Sequence, residues 1–244
     1  MAGHSKWANI KRAKGATDAK RGKVFAKLSR EITVAARLGG SDPGMNPRLR
    51  MVLLKCRGAS MPKDNIERAI QKATGAGADS NFEELVYEIY APGGVAILAE
   101  ITTDNRNRSA AEIRSIVTKS GGSIAAQGAV SRLFQKQGQL IIARESAEED
   151  SLMELALEAG ADDFKAEVEG YEILTSPADL EAVHRVIEGQ GIPCEVAEVT
   201  AIPELTVPVG EPQMANAVKR LLEALEDHDD VQTMYSNAEF PAES

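Results

Sequence analysis

Five basic residues, Lys20, Lys23, Lys27, Arg30 and Arg37, recur at spacings of three, four and seven. At about 100° per helical residue these spacings gather the side chains on one face, roughly 170° from an apolar stripe of Phe25, Leu28, Ile32 and Ala36. Ordinary solvated faces mix both signs, whereas Asp18 and Glu31 are the only acids here. A helix with a core face and an almost purely cationic face suits a phosphate backbone. Arg21 adds a charge at its start. Upstream, Lys6, Lys11, Arg12 and Lys14 surround the single tryptophan, Trp7. The cations can take phosphates; Trp7 is either a core anchor or a surface on which a base stacks. A second cationic feature is the run Asp104-Asn105-Arg106-Asn107-Arg108-Ser109. It is either a capped strand-to-helix loop whose arginines pair with neighbouring acids, or a second contact for an anion or partner through Arg106 and Arg108.

Catalytic chemistry needs a constellation, and none assembles. The three histidines, His4, His184 and His228, fall in three different segments. His228 sits in Glu226-Asp227-His228-Asp229-Asp230, which lacks the register of a calcium loop and reads as a solvated acidic turn after a helix. Gly75-Ala76-Gly77 has no Gly-Lys-Ser/Thr after it, so it is not a phosphate loop. Cys56 and Cys194 lie far apart without CxxC spacing, which indicates neither a disulfide framework nor a zinc site. Cys56 reads as a small core residue. No catalytic residue, no metal site and no cofactor are expected.

The elements that must position the cations follow from periodicity and punctuation. A helix runs from Thr17-Asp18 to about Leu38, stopped by Gly39-Gly40. Asn46-Pro47 looks like an N-cap and N1 proline for a second helix, and a third opens at Pro62. The stretch from Thr74 to Ser80 has linker composition. Beyond it come strands at 85–90 and 95–102, a helix at 107–119 ended by Gly121-Gly122, and a strand at 130–134, read as βαβ. A self-contained βαββαβ series follows: strand 140–143, helix 148–159, strands 164–168 and 171–175, helix 177–188, strand 194–199. That order is the ferredoxin-like one. A strand at 205–207, a helix at 212–226 and a strand at 231–235 then give a second βαβ. The expected fold is α+β and multidomain, with one α/β domain inserted in another. A basic helical domain covers 1–78, a discontinuous α/β domain 79–136 and 203–244, and the ferredoxin-like insert 137–202.

Across its 244 residues the formal charge is −9, which at first argues against a polyanion partner. The average conceals a split. Residues 1–75 hold 17 Lys/Arg against 5 Asp/Glu, a net of +12, and the remainder nets −21. Nucleic acid is thereby confined to the first quarter, and the acidic domains are left to orient the molecule or meet a basic protein. No apolar run is long enough to span a bilayer, and none resembles a signal peptide, so a membrane partner is not expected and a cytoplasmic location is. Aromatics are only 4%, too few for a broad base-stacking platform. No helix rich in Asn, Gln and Arg is aimed at base edges, which favours contact led by shape.

Longer motifs carry a resemblance. Met1-Ala2-Gly3-His4-Ser5-Lys6-Trp7-Ala8-Asn9-Ile10-Lys11, Asp18-Ala19-Lys20-Arg21-Gly22-Lys23-Val24-Phe25 and Asn46-Pro47-Arg48-Leu49-Arg50 are similar to segments of the YebC/PmpR family. So are Met61-Pro62-Lys63-Asp64-Asn65-Ile66-Glu67-Arg68-Ala69-Ile70, Pro92-Gly93-Gly94, the run from Asp104 to Arg108 and the run from Ala156 to Ala161. The chain departs from the family where Arg12-Ala13-Lys14 stands for a common His-Arg-Lys, and where Ile89 and Ala91 replace glycines. The resemblance implies a cytoplasmic protein of three domains. It also implies a DNA-binding transcription regulator or, alternatively, a ribosome-associated translation factor that contacts ribosomal RNA and relieves stalling on proline-rich sequences.

Overall fold

The computed structural model describes residues 18–75 and 82–241. The expectations placed on Lys6, Trp7, Lys11, Arg12 and Lys14 lie outside these residues. The chain is α+β, and its described residues fall into two compact units. One holds 18–31, 75, 82–135 and 202–241; the other holds 32–74 and 136–201. The first helix, α1 (Asp18–Gly39), contributes its N-terminal part to the first unit and the rest to the second.

In the second unit, α2 (Pro47–Gly58) and α3 (Lys63–Thr74) follow α1. Asn46 caps α2 through Oδ1, which accepts the Leu49 N–H at 3.0 Å, and Pro47 supplies the preset φ at N1. Its Nδ2 donates to the carbonyls of Ala35 at 2.8 Å and Gly40 at 2.7 Å. One buried side chain thus opens α2 and satisfies the end of α1. A Cβ on Gly39 would stand 2.7 Å from that amide, so the close approach requires glycine. Leu49, Val52, Cys56, Ala69 and Ala73 are buried, which makes Cys56 a core residue.

The same unit contains most of β4 (Phe134–Ala143), then α5 (Glu149–Glu158), β5 (Asp163–Ala166), β6 (Gly170–Thr175), α6 (Leu180–Gly189) and most of β7 (Val196–Pro203). Its sheet order is β5-β6-β4-β7, the ferredoxin-like order. Leu140 and Ile142 of β4, with Tyr171 and Ile173 of β6, meet Leu152 and Ala156 of α5 and Leu180, Val183 and Ile187 of α6. Met51 and Leu54 of α2 pack against that core, and Arg50 binds Glu181 at 2.6 Å. Cys194 is partly buried, and desolvation pushes its thiol up to about 12, which keeps it protonated.

The first unit is built on β1 (Glu83–Tyr90), β2 (Ala96–Thr103), α4 (Arg106–Lys119), β3 (Ser123–Ile124), β8 (Val207–Pro208), α7 (Pro212–Glu226), β9 (Val231–Ser236) and β10 (Ala238–Glu239). Its four-stranded sheet has the order β3-β1-β2-β9, antiparallel at every pairing, and β8 pairs with β10 separately. Ile113 and Val117 of α4 and Val218, Leu221 and Leu225 of α7 cover Ile89, Ile97, Ala99, Ile101 and Val231. Strands from before and after the ferredoxin-like segment therefore share one sheet, so that segment is inserted.

Two expectations are corrected here. The sheet is not built from two βαβ halves: β8 pairs with β10 in a separate two-stranded sheet, and β9 returns antiparallel to β2. The strand expected at 130–134 is a 3₁₀ turn at Ser131–Leu133, followed by β4. The reason is Glu88, a buried carboxylate that accepts the N–H groups of Gly128 (2.6 Å), Val130 (2.5 Å) and Ser131 (2.9 Å). Those donors are then unavailable to a strand ladder. Burial pushes the Glu88 carboxyl up, but the amides of Gly128, Ser131 and Val130 outweigh it and hold the group below its ordinary value.

Replacing Asn46 with Ala should cost about 2 kcal/mol, because a cap is lost and buried carbonyls lose a donor. Asn46→Asp keeps the cap oxygen but not the donor, and should fail to restore stability in urea denaturation. Stability equal to wild type in Asn46→Asp would assign the whole effect to the cap. Glu88→Gln should be less stable at pH 7 by about 1–3 kcal/mol. The ionised carboxylate contributes fully above the ordinary value of 4.5, and its contribution disappears as pH falls through the lowered folded value. Denaturation curves of wild type and Glu88→Gln should accordingly converge as pH falls below 4.5 and through the lowered folded value.

Candidate nucleic-acid interface

The cationic row lies on α1 as its spacing requires, with different surroundings along its length. Lys20, Arg21 and Lys23 are exposed, Lys27 and Arg30 are partly buried, and Arg37 is half-buried. Arg37 departs from a solvent-facing position because Ile32, Thr33, Val34, Ala35 and Ala36 are all buried, so the helix there is enclosed on every side. The guanidinium of Arg21 lies 5.9 Å from the centre of the Phe25 ring, and that of Arg30 lies 5.7 Å from the Phe82 ring.

The acidic turn after α7, expected to be solvated, sits against this row. Lys23 Nζ donates to Asp227 Oδ1 at 2.8 Å, and Lys27 Nζ donates to the Glu226 carbonyl at 2.6 Å. Arg30 donates to the Asp229 carbonyl and reaches Asp230 Oδ1 at 3.3 Å. Residues 23, 27 and 30 share one helix face, and the C-terminal end of α7 offers it carbonyls at the negative pole of the helix dipole plus two carboxylates. The charges respond. The hydrogen bond to Asp227 raises the Lys23 ammonium above its ordinary value, and Lys23, with Lys20 and Lys27 behind it, lowers Asp227. Burial lowers Lys27 despite the acids around it.

Asp230 joins both cationic features. Its Oδ2 accepts from Arg108 at 2.8 Å and from the Ser109 hydroxyl at 2.6 Å, while Oδ1 faces Arg30. Burial pushes the Asp230 carboxyl up, but Ser109, Arg108 and Arg30 together hold it low. The loop reading of 104–109 holds in detail: Asn105 caps α4 by accepting the Arg108 N–H at 3.1 Å, and Arg108 also bridges Asp104 at 3.0 Å. Arg106 is exposed in the first turn of α4. A bulge aims this end of β9: Thr233 pairs with Glu100 but Val231 with Ile101, so Gln232 is the extra residue. The Asp230 carbonyl still accepts the Thr102 N–H at 2.9 Å.

Lys23, Arg30, Asp104, Arg108, Glu112 and residues 227–230 line one cleft. Glu112, His228 and Asp230 place ligand-type atoms within 4.8 Å of one another there. Their hydrogen bonds argue against a cation. His228 Nδ1 accepts the Asp230 N–H at 3.1 Å, which leaves the ring proton on Nε2, directed at Glu112 at 2.9 Å. Metal binding through Nε2 would require moving that proton to Nδ1 and breaking the backbone bond. His184 is buried on α6 and lowered by desolvation, so it is a neutral core residue.

Sequence reasoning located the row and the loop but missed the residues that meet them, Asp227 and Asp230. The signal available was charge complementarity between a pure cationic face and the run of four acids at 226–230.

Residues 5–76 match the family description "TACO1/YebC protein N-terminal domain", and residues 82–238 match "TACO1/YebC second and third domain". A "Probable transcriptional regulatory protein" of Pelotomaculum thermopropionicum is 52% identical over 241 residues, covering 98% of this chain and 99% of the relative. One from Desulforapulum autotrophicum is 51% identical over 243 residues, covering 100% and 98%. Among solved structures, a conserved hypothetical protein from Aquifex aeolicus superposes with a TM-score of 0.86 at 46% identity, covering 98% of each chain. Matched along both its basic and its acidic parts, the chain belongs to the TACO1/YebC family.

Proposed function

We propose that this protein is a non-enzymatic, cytoplasmic regulator of gene expression that binds nucleic acid through its basic N-terminal helices, with DNA as the target. The observation that carries the reading is the charge split: a net of +12 in residues 1–75, with Lys20, Lys23, Lys27 and Arg30 in one row on α1. The names of the relatives as probable transcriptional regulatory proteins support a regulatory role in transcription. Among the described residues, no helix is long and apolar enough to cross a membrane.

Phosphate contacts supply affinity with little sequence information, so binding falls steeply with salt. We assign further phosphate contacts to Lys6, Lys11, Arg12 and Lys14, with Trp7 either a core anchor or a stacking surface, and a second contact to Arg106, beside the internally paired Arg108. The acidic remainder, repelled by the same polyanion, fixes orientation or meets a basic protein.

The quadruple variant Lys20→Ala/Lys23→Ala/Lys27→Ala/Arg30→Ala should lose about tenfold or more in affinity for unrelated duplex sequences and show a flatter log K against log salt. Fluorescence anisotropy over a salt series measures both. Unchanged binding by a folded variant would remove α1 from the interface, and preference for a ribosomal RNA stem-loop over duplex DNA at equal salt would favour a translation factor instead.

A further inference from the structure

The phosphate-facing row of α1 is already occupied by an anion. Among the described residues, Lys23, Lys27 and Arg30 donate to residues 226–230 and to the adjoining carbonyl of Thr102. The geometry follows that of a polyanion on a helix: acceptors at successive steps along an i, i+4, i+7 row, presented by one short segment. We propose that the segment Glu226–Asp230 is an internal competitor for the phosphate-binding face of α1, and that nucleic acid reaches Lys23 and Lys27 by displacing Glu226 and Asp227. The proposal rests on the nucleic-acid reading above and adds a threshold to it.

The segment is graded in how easily it yields. The Lys23–Asp227 pair is open to water, with side chains 48% and 70% exposed, and such pairs are worth little and exchange readily. The Arg30–Asp230 pair is 21% and 5% exposed, and Asp230 also holds Arg108 and Ser109. Breaking it would strand a buried charge. Displacement therefore begins at 226–227 and stops at Asp230, which remains the anchor. A phosphodiester arriving at Lys20 finds Asp227 as its first competitor, since Lys20 already contributes to the field that lowers that carboxyl.

The test uses the full chain, a short duplex DNA and a stem-loop RNA. Glu226→Gln/Asp227→Asn/Asp229→Asn removes competitor charge and leaves Asp230 in place. The control, Glu145→Gln/Glu154→Gln/Glu158→Gln, makes the same change of net charge at exposed positions of the other unit. The competitor variant should bind about tenfold more tightly than wild type, with a salt slope steeper by about 1–2, because cations once held internally now meet phosphates. The control should change affinity by less than about twofold. Equal gains in both variants, or none in either, would overturn the competitor while leaving nucleic-acid binding intact. Absence of binding by wild type and by the competitor variant would overturn both readings. A second measurement does not depend on substitution. Carbodiimide should join Lys23 to Asp227, which are in direct contact at 2.8 Å, and mass spectrometry should find that amide bond. Added nucleic acid should suppress it; full yield at saturating nucleic acid would show that binding leaves the contact closed.

Discussion

A carboxylate shielded from water must be given donors or a proton, and Asp230, 3% exposed, is given donors from separate elements. Arg30 comes from α1, Arg108 and Ser109 from the first turn of α4, and the carboxylate itself from the start of β9. These are linked through the sheet, because the Asp230 carbonyl also closes the β2–β9 ladder at Thr102. The N-terminal part of α1 is therefore tied to α4 and to the start of β9 by a buried ionic hub. Such a hub gives less net stability than an apolar core would, but losing any single donor leaves a buried charge short of partners. Its value lies in fixing one arrangement of three elements.

The hub explains how a chain with opposed ends folds without separating them. The basic and acidic segments are far apart in sequence yet share a surface in which α7 contributes its negative pole and α1 its cations. The internal pairing lowers the field of the cationic row, so the structure presents less positive charge than residues 1–75 contain. Exposure along the row is greatest toward the start of α1, where Lys20 and Lys23 face solvent and Lys27 begins to be covered.

Most of the architecture was legible because it rests on local signals. Asn46-Pro47 announced α2, Gly39-Gly40 ended α1, and the strand and helix order from Leu140 to Val199 spelled out the ferredoxin-like insert, which the sheet order β5-β6-β4-β7 bears out. What escaped was set by partners distant in sequence. The segment around Val130 has the composition of a strand, but Glu88, some forty residues earlier, takes its amides. The acids at 226–230 look solvated until α1 is placed beside them, a contact spanning about two hundred residues. The same distance hid Asp230 as the meeting point of two features that spacing alone had assigned separately. Periodicity reports which face a residue occupies; it carries no information about which distant segment covers that face.

The proposed internal competitor also alters what salt dependence would reveal. When a free lysine meets a phosphate, counterions leave the nucleic acid and the slope of log K against log salt counts the contacts. When the lysine must first leave a carboxylate, that carboxylate regains its own ion atmosphere, and the uptake partly cancels the release. The slope for this chain then undercounts the cations at the interface by the number exchanged rather than newly engaged. Salt weakens the exposed Lys23–Asp227 pair and the external contact together, since both lie within reach of screening ions. Affinity is consequently buffered against ionic strength at Lys23, where each external gain has an internal loss, and stays fully sensitive where no internal anion stands in the way. A cationic helix with a tethered acidic turn is thus selective for ligands that offer several phosphates at once, because only a multivalent polyanion outweighs an anion already held in place by the fold.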